Sequence, residues 1–492
     1  MNTFSVAENK TIRIVGRDFL FLVADKAIFE MDSSTRNILD DLYPKGVLTQ
    51  QEVMAGLTCV SAQQREELFQ GLLKRRVIIP VNNEESISKR GKPHNASIPL
   101  KTLIMHLTDA CNLSCRYCYH AEWDQNSRQK KGMRLEVAHK AVDFLFDHAG
   151  ELEEVVLVFF GGEPLLNFKV IPAVVDYACQ KASEDGKKVT FAITTNGTLL
   201  TEEIIDFFRQ KNIGVTVSMD GTESVHDRYR RFPDGSPSYG IMLPKIKRLL
   251  NGSDNRPAVA RVTLVEGPDK VPQILDHLLD LGFTEVGFAP VTTGHPDYQL
   301  SNHDMDLLLG EFQNLSQKFL YAAEKRRFYG FSNVIDMLVA LHQGEVMNYP
   351  CGAGLGLFST DPRGKLYLCQ RFTGQEEFCM GDIFNGFNHE KLETFRDQAE
   401  ISNKADCKRC WARTICTGGC YHEACVREGN HLKPNLHYCE WIKQWSEIGL
   451  ETYCQLATTD PEYLEMLCMS RGYRSHMTVK ETKGGSYEKE RA

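Results

Sequence analysis

The sequence lacks three features that would place it in large classes of proteins. No run of 18 apolar residues occurs in its 492 residues, so no transmembrane helix is predicted. The first residues have neither a basic start nor an apolar stretch of signal-peptide length, which predicts a cytoplasmic protein in a reducing compartment. The net charge is −8 and no concentrated basic face stands out, so nothing predicts binding to nucleic acid.

The composition is that of a globular protein with substantial cores. Hydrophobic residues make up 42% and charged residues 25% of the chain. A prior of roughly 150 residues per domain predicts two or three domains. The chain also has 16 cysteines, and in a reducing compartment these are expected to bind metal rather than to form disulfides.

The first 81 residues are predicted to form a small winged-helix-like domain. Short strands are expected at 12–15, 19–23 and 27–31, followed by three helices. Predicted helix caps are Ser33 or Ser34 for the first helix, Thr49 for the second and Ser61 for the third. A polar, irregular linker is predicted over residues 82–98.

From residue 99 to about 300, strand and helix signals alternate, which predicts a parallel sheet built from βα units. The predicted strands are 103–107, 155–160, 189–194, 214–219, 258–265 and 285–289. Ligands bind beyond the carboxyl ends of such strands. The alternation does not by itself separate a partial (β/α)₆ barrel from a doubly wound sheet.

The remaining sequence divides into three further predicted segments. Residues 301–350 read as a helical bridge, and residues 351–445 are rich in cysteine. Residues 446–492 are predicted to be a C-terminal helix followed by a charged, disordered tail.

Three cysteines follow the first predicted strand of the α/β region. Cys111, Cys115 and Cys118 form a C-x₃-C-x₂-C pattern. Iron–sulfur clusters normally take four thiolates, so a set of three leaves one iron open to a small molecule. The alternative is a structural zinc site that takes His120 as its fourth ligand.

The ends of the next predicted strands carry small and polar residues. Gly161 and Gly162 would let the backbone approach a ligand closely, and Glu163 can accept a hydrogen bond from an ammonium group. The later candidates are Asn196, Ser218 and Asp220. Three arginines that could meet a carboxylate are not ranked by the sequence: Arg230, Arg231 and Arg261.

The three-cysteine loop and the Gly-Gly-Glu-Pro motif resemble those of radical S-adenosylmethionine (SAM) enzymes. The resemblance implies a partial (β/α)₆ barrel whose 4Fe–4S cluster binds SAM and cleaves it to a 5′-deoxyadenosyl radical. It also implies that the Glu163 motif binds the methionyl amine and that Asn196, Ser218 and Asp220 contact the rest of SAM. An external one-electron reductant such as flavodoxin or ferredoxin would be required.

Seven further cysteines have the spacing of a second metal-binding region, with a zinc ribbon from Cys407, Cys410, Cys416 and Cys420 as the alternative. They resemble the SPASM domain, which holds two auxiliary 4Fe–4S clusters, so that three clusters are expected in all. The resemblance implies a distal cluster on Cys407, Cys410, Cys416 and Cys439, and a proximal cluster on Cys351, Cys369 and Cys420. Either one proximal iron is open, or Cys379 or Cys425 completes its ligands. The other cysteines are expected to be buried small hydrophobes: Cys59, Cys179, Cys454 and Cys468.

From about residue 100 to 440 the chain resembles radical SAM/SPASM peptide maturases, and among them the thioether-forming ones. The resemblance implies a substrate peptide or small protein subunit whose leader segment adds a strand to the N-terminal domain. That domain would otherwise only shield the core. Two other functions remain open: sulfatase maturation by formylglycine formation, and electron transfer by a multi-cluster carrier without a substrate of its own.

Overall fold

A computed structural model describes residues 3–57, 61–81, 98–119, 132–252, 257–293, 295–434 and 436–472. The predicted linker (apart from residue 98), the predicted tail beyond residue 472, His120 and Cys59 lie outside the described residues. Within the described ranges, no helix is long and apolar enough to cross a membrane.

The N-terminal unit contains two three-stranded antiparallel sheets and three helices. Its strands are β1 (Thr3–Val6), β2 (Asn9–Ile14), β3 (Arg17–Leu22), β4 (Ala27–Met31), β5 (Val47–Thr49) and β6 (Ile78–Pro80). Its helices are α1 (Ser33–Leu42), α2 (Gln50–Gly56) and α3 (Ala62–Lys74). The sheet orders are β5-β1-β6 and β2-β3-β4. The strands β2, β3 and β4 and the three helices were predicted, whereas β1, β5 and β6 were not.

The helix caps explain where these helices begin. Thr49 and Ser61 are N-caps as predicted, each in a capping box in which the side chain three residues later bonds back to the cap backbone. The prediction of Ser33 or Ser34 for α1 was wrong. Asp32 caps that helix by accepting a hydrogen bond from the Thr35 amide at 2.8 Å. A carboxylate oxygen satisfies an otherwise unpaired amide of the first turn.

The central region is one ten-stranded sheet whose first six strands are parallel and follow chain order. These strands are β7 (Thr102–His106), β8 (Glu154–Phe160), β9 (Lys188–Thr195), β10 (Gly214–Ser218), β11 (Val259–Leu264) and β12 (Glu285–Pro290). A doubly wound sheet reverses its strand order at a switch point, whereas here each strand pairs with the next. The order therefore favours the partial barrel over the doubly wound alternative.

Helices cover this sheet and bury one large core. They are α4 (Leu135–Asp147), α5 (Ile171–Glu184), α6 (Glu202–Gln210), α7 (Glu223–Tyr229), α8 (Tyr239–Leu250), α9 (Val271–Asp280), α10 (Asn302–Glu324) and α11 (Ser332–Gln343). In α4 the side chains of Val137, Ala141, Phe144 and Leu145 are buried. His148 follows the helix, is exposed, and stacks on Phe144 with ring centroids 4.1 Å apart.

The cysteine-rich segment extends the same sheet instead of forming a separate body. Its strands are β13 (Leu357–Thr360), β14 (Lys365–Tyr367), β15 (Cys379–Asp382) and β16 (Gly386–Phe387). β13 pairs in parallel with β7, and the following three strands continue antiparallel. Because β7 precedes the three-cysteine loop, this pairing fixes the cysteine-rich segment beside that loop.

The last helices join the C-terminal segment to the N-terminal unit. They are α12 (His389–Ala399), α13 (Arg413–Cys416), α14 (Tyr421–Glu428), α15 (Leu436–Thr459) and α16 (Pro461–Ser470). The predicted boundary at residue 445 falls inside α15, so it does not separate two units. Phe19 and Phe21 of β3 pack with Leu341 of α11 and Leu450 of α15.

Candidate functional site

The three-cysteine loop leaves the carboxyl end of β7 and is held by backbone hydrogen bonds to a neighbouring segment. The Ser114 amide donates to the Arg231 carbonyl at 2.7 Å, and the Arg116 amide donates to the Tyr229 carbonyl at 3.1 Å. Burial raises the pKa of Cys115 to about 12, and Cys118 and Cys111 are among the neighbours that raise it further. The three thiols therefore lie close together at the mouth of the barrel.

Gly161 and Gly162 are needed because the cysteine loop packs against them. A Cβ atom on Gly161 would lie 2.4 Å from the Thr108 carbonyl oxygen, and one on Gly162 would lie 2.3 Å from the Ala110 carbonyl oxygen. Both contacts are with backbone, which cannot move aside without displacing the cysteines. The sequence reasoning explained the glycines by the approach of a ligand, whereas the structure shows the cysteine loop in that position.

Glu163 is buried at the end of β8 and its carboxylate is held at both oxygens. Thr195 donates from its hydroxyl to Oε1 at 2.7 Å, Leu165 donates its amide to the same oxygen at 3.1 Å, and the Asn196 amide donates to Oε2 at 2.8 Å. Burial raises the pKa of Glu163 to about 7, and these hydrogen bonds oppose the rise. A carboxylate has about four acceptor positions, so roughly one remains for a ligand.

Asn196 connects the end of β9 to the cysteine loop. Its Nδ2 donates to the Asn112 side-chain oxygen at 2.9 Å and lies 3.9 Å from the Cys111 sulfur. Thr198 donates to the Asn196 side-chain oxygen at 2.6 Å. Hydrogen bonds to sulfur are one way in which a protein tunes an iron–sulfur cluster. Asn196 therefore lies beside the candidate cluster site.

Asp220, Tyr117 and Arg230 form a buried network that sequence reasoning found only in part. The Tyr117 hydroxyl donates to Asp220 Oδ2 at 2.5 Å, and Arg230 donates to the Tyr117 oxygen at 2.6 Å. Arg230 is 8% exposed, and its Nε has no hydrogen-bond partner within the described ranges. The position of Tyr117 inside the cysteine motif was the available sign that it belongs to the site. The sequence does not indicate that Asp220 and Arg230 are its hydrogen-bond partners.

The position of Asp220 is fixed by His226 of α7. The Asp220 amide donates to His226 Nδ1 at 3.3 Å, and His226 Nε2 lies 3.1 Å from the Ser238 hydroxyl. Burial lowers the pKa of His226 to about 3, so the ring is neutral and Nδ1 can accept. The Thr263 amide also donates to Asp220, at 3.0 Å.

The structure ranks the three candidate arginines. Arg230 lies near Cys111, Cys115 and Glu163. Burial raises the pKa of each of these groups, and the positive charge of Arg230 lowers it. Arg231 instead donates to the Gly235 carbonyl at 2.8 Å on the surface. Arg261 pairs in register with Ser218, the last residue of β10.

The seven C-terminal cysteines lie in two groups. Burial raises the pKa of Cys369 to about 12, and Cys420 and Cys351 raise it further. Burial likewise raises the pKa of Cys407 to about 11, with further increases from Cys416, Cys439 and Cys410. Cys420 thus lies with Cys351 and Cys369, although it is only four residues after Cys416.

This grouping argues against the zinc ribbon that the C-terminal sequence left open. The zinc-ribbon set required Cys420 to join Cys407, Cys410 and Cys416, and the structure places it with the other group. Among the described residues, no three His, Cys, Asp or Glu side chains converge as the ligands of one metal ion do. A four-iron cubane distributes its thiolates over different irons, so its ligands stand farther apart than those of a single ion.

Cys379 and Cys425 are oriented toward other neighbours. The Cys379 sulfur donates to the Gly381 carbonyl at 3.4 Å. Burial raises the pKa of Cys425, and the neighbouring charge that raises it further is that of Glu377. Cys454 and Cys468 are buried as predicted, but Cys179 is exposed on α5, so that prediction was wrong.

The thiol environments fit iron–sulfur clusters. Burial raises the pKa of Cys351, Cys369 and Cys416 and so disfavours their thiolates, whereas hydrogen bonds from nearby backbone amides lower the pKa of each and favour the thiolates. A bound metal ion stabilises thiolates outright. Burial raises the pKa of Tyr119, and so do Cys118 of the barrel loop and Cys369 of the C-terminal segment. Tyr119 therefore lies between the barrel and the C-terminal groups.

Comparisons with known proteins agree with this geometry. The model of the radical SAM superfamily matches residues 105–251. The serine-type anaerobic sulfatase-maturating enzyme of Bacteroides thetaiotaomicron is 25% identical over 376 residues, which cover 70% of this chain and 88% of that enzyme. An uncharacterized protein of Methanocaldococcus jannaschii is 37% identical over 139 residues, 28% of this chain and 45% of that protein.

A solved structure shows the same fold. It is native anSMEcpe with bound AdoMet and the Kp18Cys peptide, which has a TM-score of 0.62 and 21% sequence identity. The match covers 73% of this chain and 99% of that one, so about a quarter of this chain has no counterpart there. Residues 105–251 therefore match the radical SAM superfamily, and most of the chain is similar to an anaerobic sulfatase-maturating enzyme.

Proposed function

We propose that this protein is a radical SAM maturase that modifies a ribosomally made peptide or a small protein subunit. The observation that carries the proposal is the position of the three thiols at the barrel mouth beside a buried carboxyl and a buried guanidinium. A 4Fe–4S cluster and SAM bound there would supply a radical that removes hydrogen from an unactivated carbon. The chain itself would orient SAM and the substrate and exclude water.

Each polar group at the mouth of the barrel suits a different part of SAM. Cys111, Cys115 and Cys118 would hold the cluster. The remaining acceptor position of Glu163 suits the methionyl ammonium, and the unpartnered Nε of Arg230 suits the carboxylate. Asn196, Ser218 and Asp220 are the proposed contacts for the remainder of SAM, with the backbone of Gly161 and Gly162 supporting the cysteine loop.

Two auxiliary 4Fe–4S clusters are proposed for the C-terminal segment. Cys407, Cys410, Cys416 and Cys439 would hold the distal one, and Cys351, Cys369 and Cys420 the proximal one. The Cys379 sulfur bonds to the Gly381 carbonyl, and the charge that acts on Cys425 is that of Glu377. With neither of them as a ligand, the proximal cluster would keep one iron position free of cysteine. A substrate thiolate is a suitable ligand for that position.

The proposed reaction is a thioether crosslink between a substrate cysteine and a carbon atom. It removes one hydrogen atom from the carbon, one proton from the thiol and one electron, and the auxiliary clusters would accept that electron. The enzyme that crosslinks the small subunit of quinohemoprotein amine dehydrogenase performs this type of reaction. The antiparallel sheet β2-β3-β4 offers edge strands to which a leader peptide could be added.

Formylglycine formation is the second candidate function. It is supported by two relatives that are named as anaerobic sulfatase-maturating enzymes and that match 70% and 73% of this chain. Both functions use the same radical and differ in what happens to the substrate thiol or hydroxyl.

Mass spectrometry distinguishes the two. The anaerobically reconstituted chain would be incubated with SAM, dithionite and the cysteine-containing peptides encoded beside its gene. We expect the substrate to lose two hydrogen atoms per crosslink and to become resistant to alkylation at cysteine. A product that reacts with hydrazides would instead show an aldehyde and favour formylglycine. The variant with Cys111, Cys115 and Cys118 all replaced by Ala should release no 5′-deoxyadenosine, and release by that variant would contradict the radical assignment.

A further inference from the structure

Lys404 is a buried cation without a hydrogen-bonding partner for its ammonium. The residue is 5% exposed, and its Nζ bonds to no other group in the part of the chain that the structure describes. Buried lysines are rare unless they are paired, because an isolated charge is costly to remove from water. The described chain supplies only the face of the Tyr421 ring, whose centroid is 5.3 Å from Nζ.

The ammonium lies near both C-terminal cysteine groups. A Cβ atom built on Gly418 would be 2.9 Å from Nζ, and Gly418 lies between Cys416 of one group and Cys420 of the other. Tyr421, beneath the ammonium, directly follows Cys420. The Lys404 carbonyl also accepts the Cys407 amide at 3.0 Å, which fixes the start of the C-x₂-C turn.

The charge reaches thiols of both groups. Lys404 lowers the pKa of Cys407 and Cys416 in one group and of Cys351 in the other, in each case against burial. Clusters ligated by thiolates carry net negative charge, so clusters in both groups would provide the compensation that the protein does not. The unpaired ammonium thus fits clusters on both sides of it.

We propose that Lys404 is a shared counter-charge for the two C-terminal cysteine groups and raises the reduction potential of an iron–sulfur cluster bound by either group. The inference rests on the proposed function, which places clusters there. Reduction adds one electron to a site that is already negative, and a fixed cation in a low-dielectric interior stabilises the added charge. Lys404 would therefore make both clusters better acceptors of the electron released by the substrate.

The test is a redox titration of the full reconstituted chain, with dithionite as reductant and electron paramagnetic resonance as the readout. Lys404→Met should make reduction of both C-terminal clusters less favourable by a factor of at least about ten in the equilibrium constant. For a one-electron couple this lowers each reduction potential by about 59 mV. Lys404→Arg keeps the charge and should keep the potentials. Lys408→Met removes an exposed charge from the same turn and should change little because water screens it.

Unchanged potentials in Lys404→Met with full iron content would overturn the proposal, and so would a shift confined to one group. If the Met variant loses iron, Lys404→Gln and Lys404→Arg decide the matter. Iron or potential lost in Gln but kept in Arg supports a counter-charge, whereas equal loss in both shows a merely structural role. Failure of the proposed function is distinct, because it would appear as absent SAM cleavage and as too little iron in the unaltered chain.

Discussion

The barrel mouth and the C-terminal cysteine segment provide thiols in opposite ways. At the mouth, three cysteines come from one loop, and polar side chains from the ends of three strands (β8, β9 and β10), together with Arg230 after α7, surround them. In the C-terminal segment, each group draws thiols from distant parts of the chain, as Cys351 and Cys420 show. The described surroundings there are mostly backbone amides, aromatic rings and Lys404.

This difference fits two kinds of metal site. An open cluster that binds a polar nucleoside needs hydrogen-bonding groups aimed at the ligand, which Glu163 and Arg230 supply. A cluster that exchanges electrons needs burial and a tuned charge, which the C-terminal groups supply. The polarity of the lining therefore distinguishes the proposed site for SAM from the proposed sites for electron-transferring clusters.

The largest expected effect concerns which cysteines hold the proximal cluster. Cys420→Ala should remove about four of the roughly twelve irons of the reconstituted chain, because a cubane with two remaining ligands is not retained. Cys425→Ala, five residues away, should keep all of them, since the neighbouring charge that acts on Cys425 is that of Glu377. Iron analysis after anaerobic desalting checks both, and loss of iron from Cys425→Ala would make that residue the fourth ligand.

The next comparison uses two adjacent arginines. Arg230→Lys should weaken SAM binding by about tenfold or more, because a hydrogen bond to a charged group contributes roughly 1.5–3 kcal/mol and lysine does not reproduce the guanidinium geometry. Arg231→Lys should leave binding unchanged, since that side chain bonds to a surface carbonyl. Equilibrium binding of SAM to the reconstituted chain measures both, and equal affinities would remove Arg230 from the SAM site.

The smallest expected effect is the pH dependence set by Glu163. Its pKa of about 7 means that the carboxyl is mostly neutral at about pH 6 and ionised at about pH 8. The SAM ammonium prefers the ionised form, so affinity should rise about tenfold over this interval. Glu163→Gln should bind SAM more weakly and with little of this slope. A slope that persists in the variant would assign the titration to another group.

The same pKa predicts an opposite slope for stability without ligand. A carboxyl whose pKa is higher in the folded chain than in the unfolded chain stabilises folding at low pH. That contribution is lost as the pH rises from the usual value of 4.5 through about 7. Denaturant unfolding of the ligand-free chain and of Glu163→Gln shows this slope as the difference between the two.

Sequence reasoning located the elements with strong periodic or capping signals. The six parallel strands lie within one or two residues of their predicted bounds, and Thr49 and Ser61 cap helices as expected. It missed β1, β5 and β6, which have four, three and three residues and little pattern of their own. It also chose Ser33 or Ser34 over Asp32, because all three residue types cap helices well and only the backbone geometry separates them.

The sequence by itself determined the chemistry of this protein: three thiols on one loop, the Gly-Gly-Glu motif and the count of the C-terminal cysteines are all local patterns. The tertiary structure alone decided the pairings between distant segments. It selected Arg230 over Arg231 and Arg261, placed Cys420 with Cys351, and put the Lys404 ammonium near both groups. The physical reason is that spacing along the chain fixes which groups share a loop, whereas burial and charge act between side chains that only folding brings together.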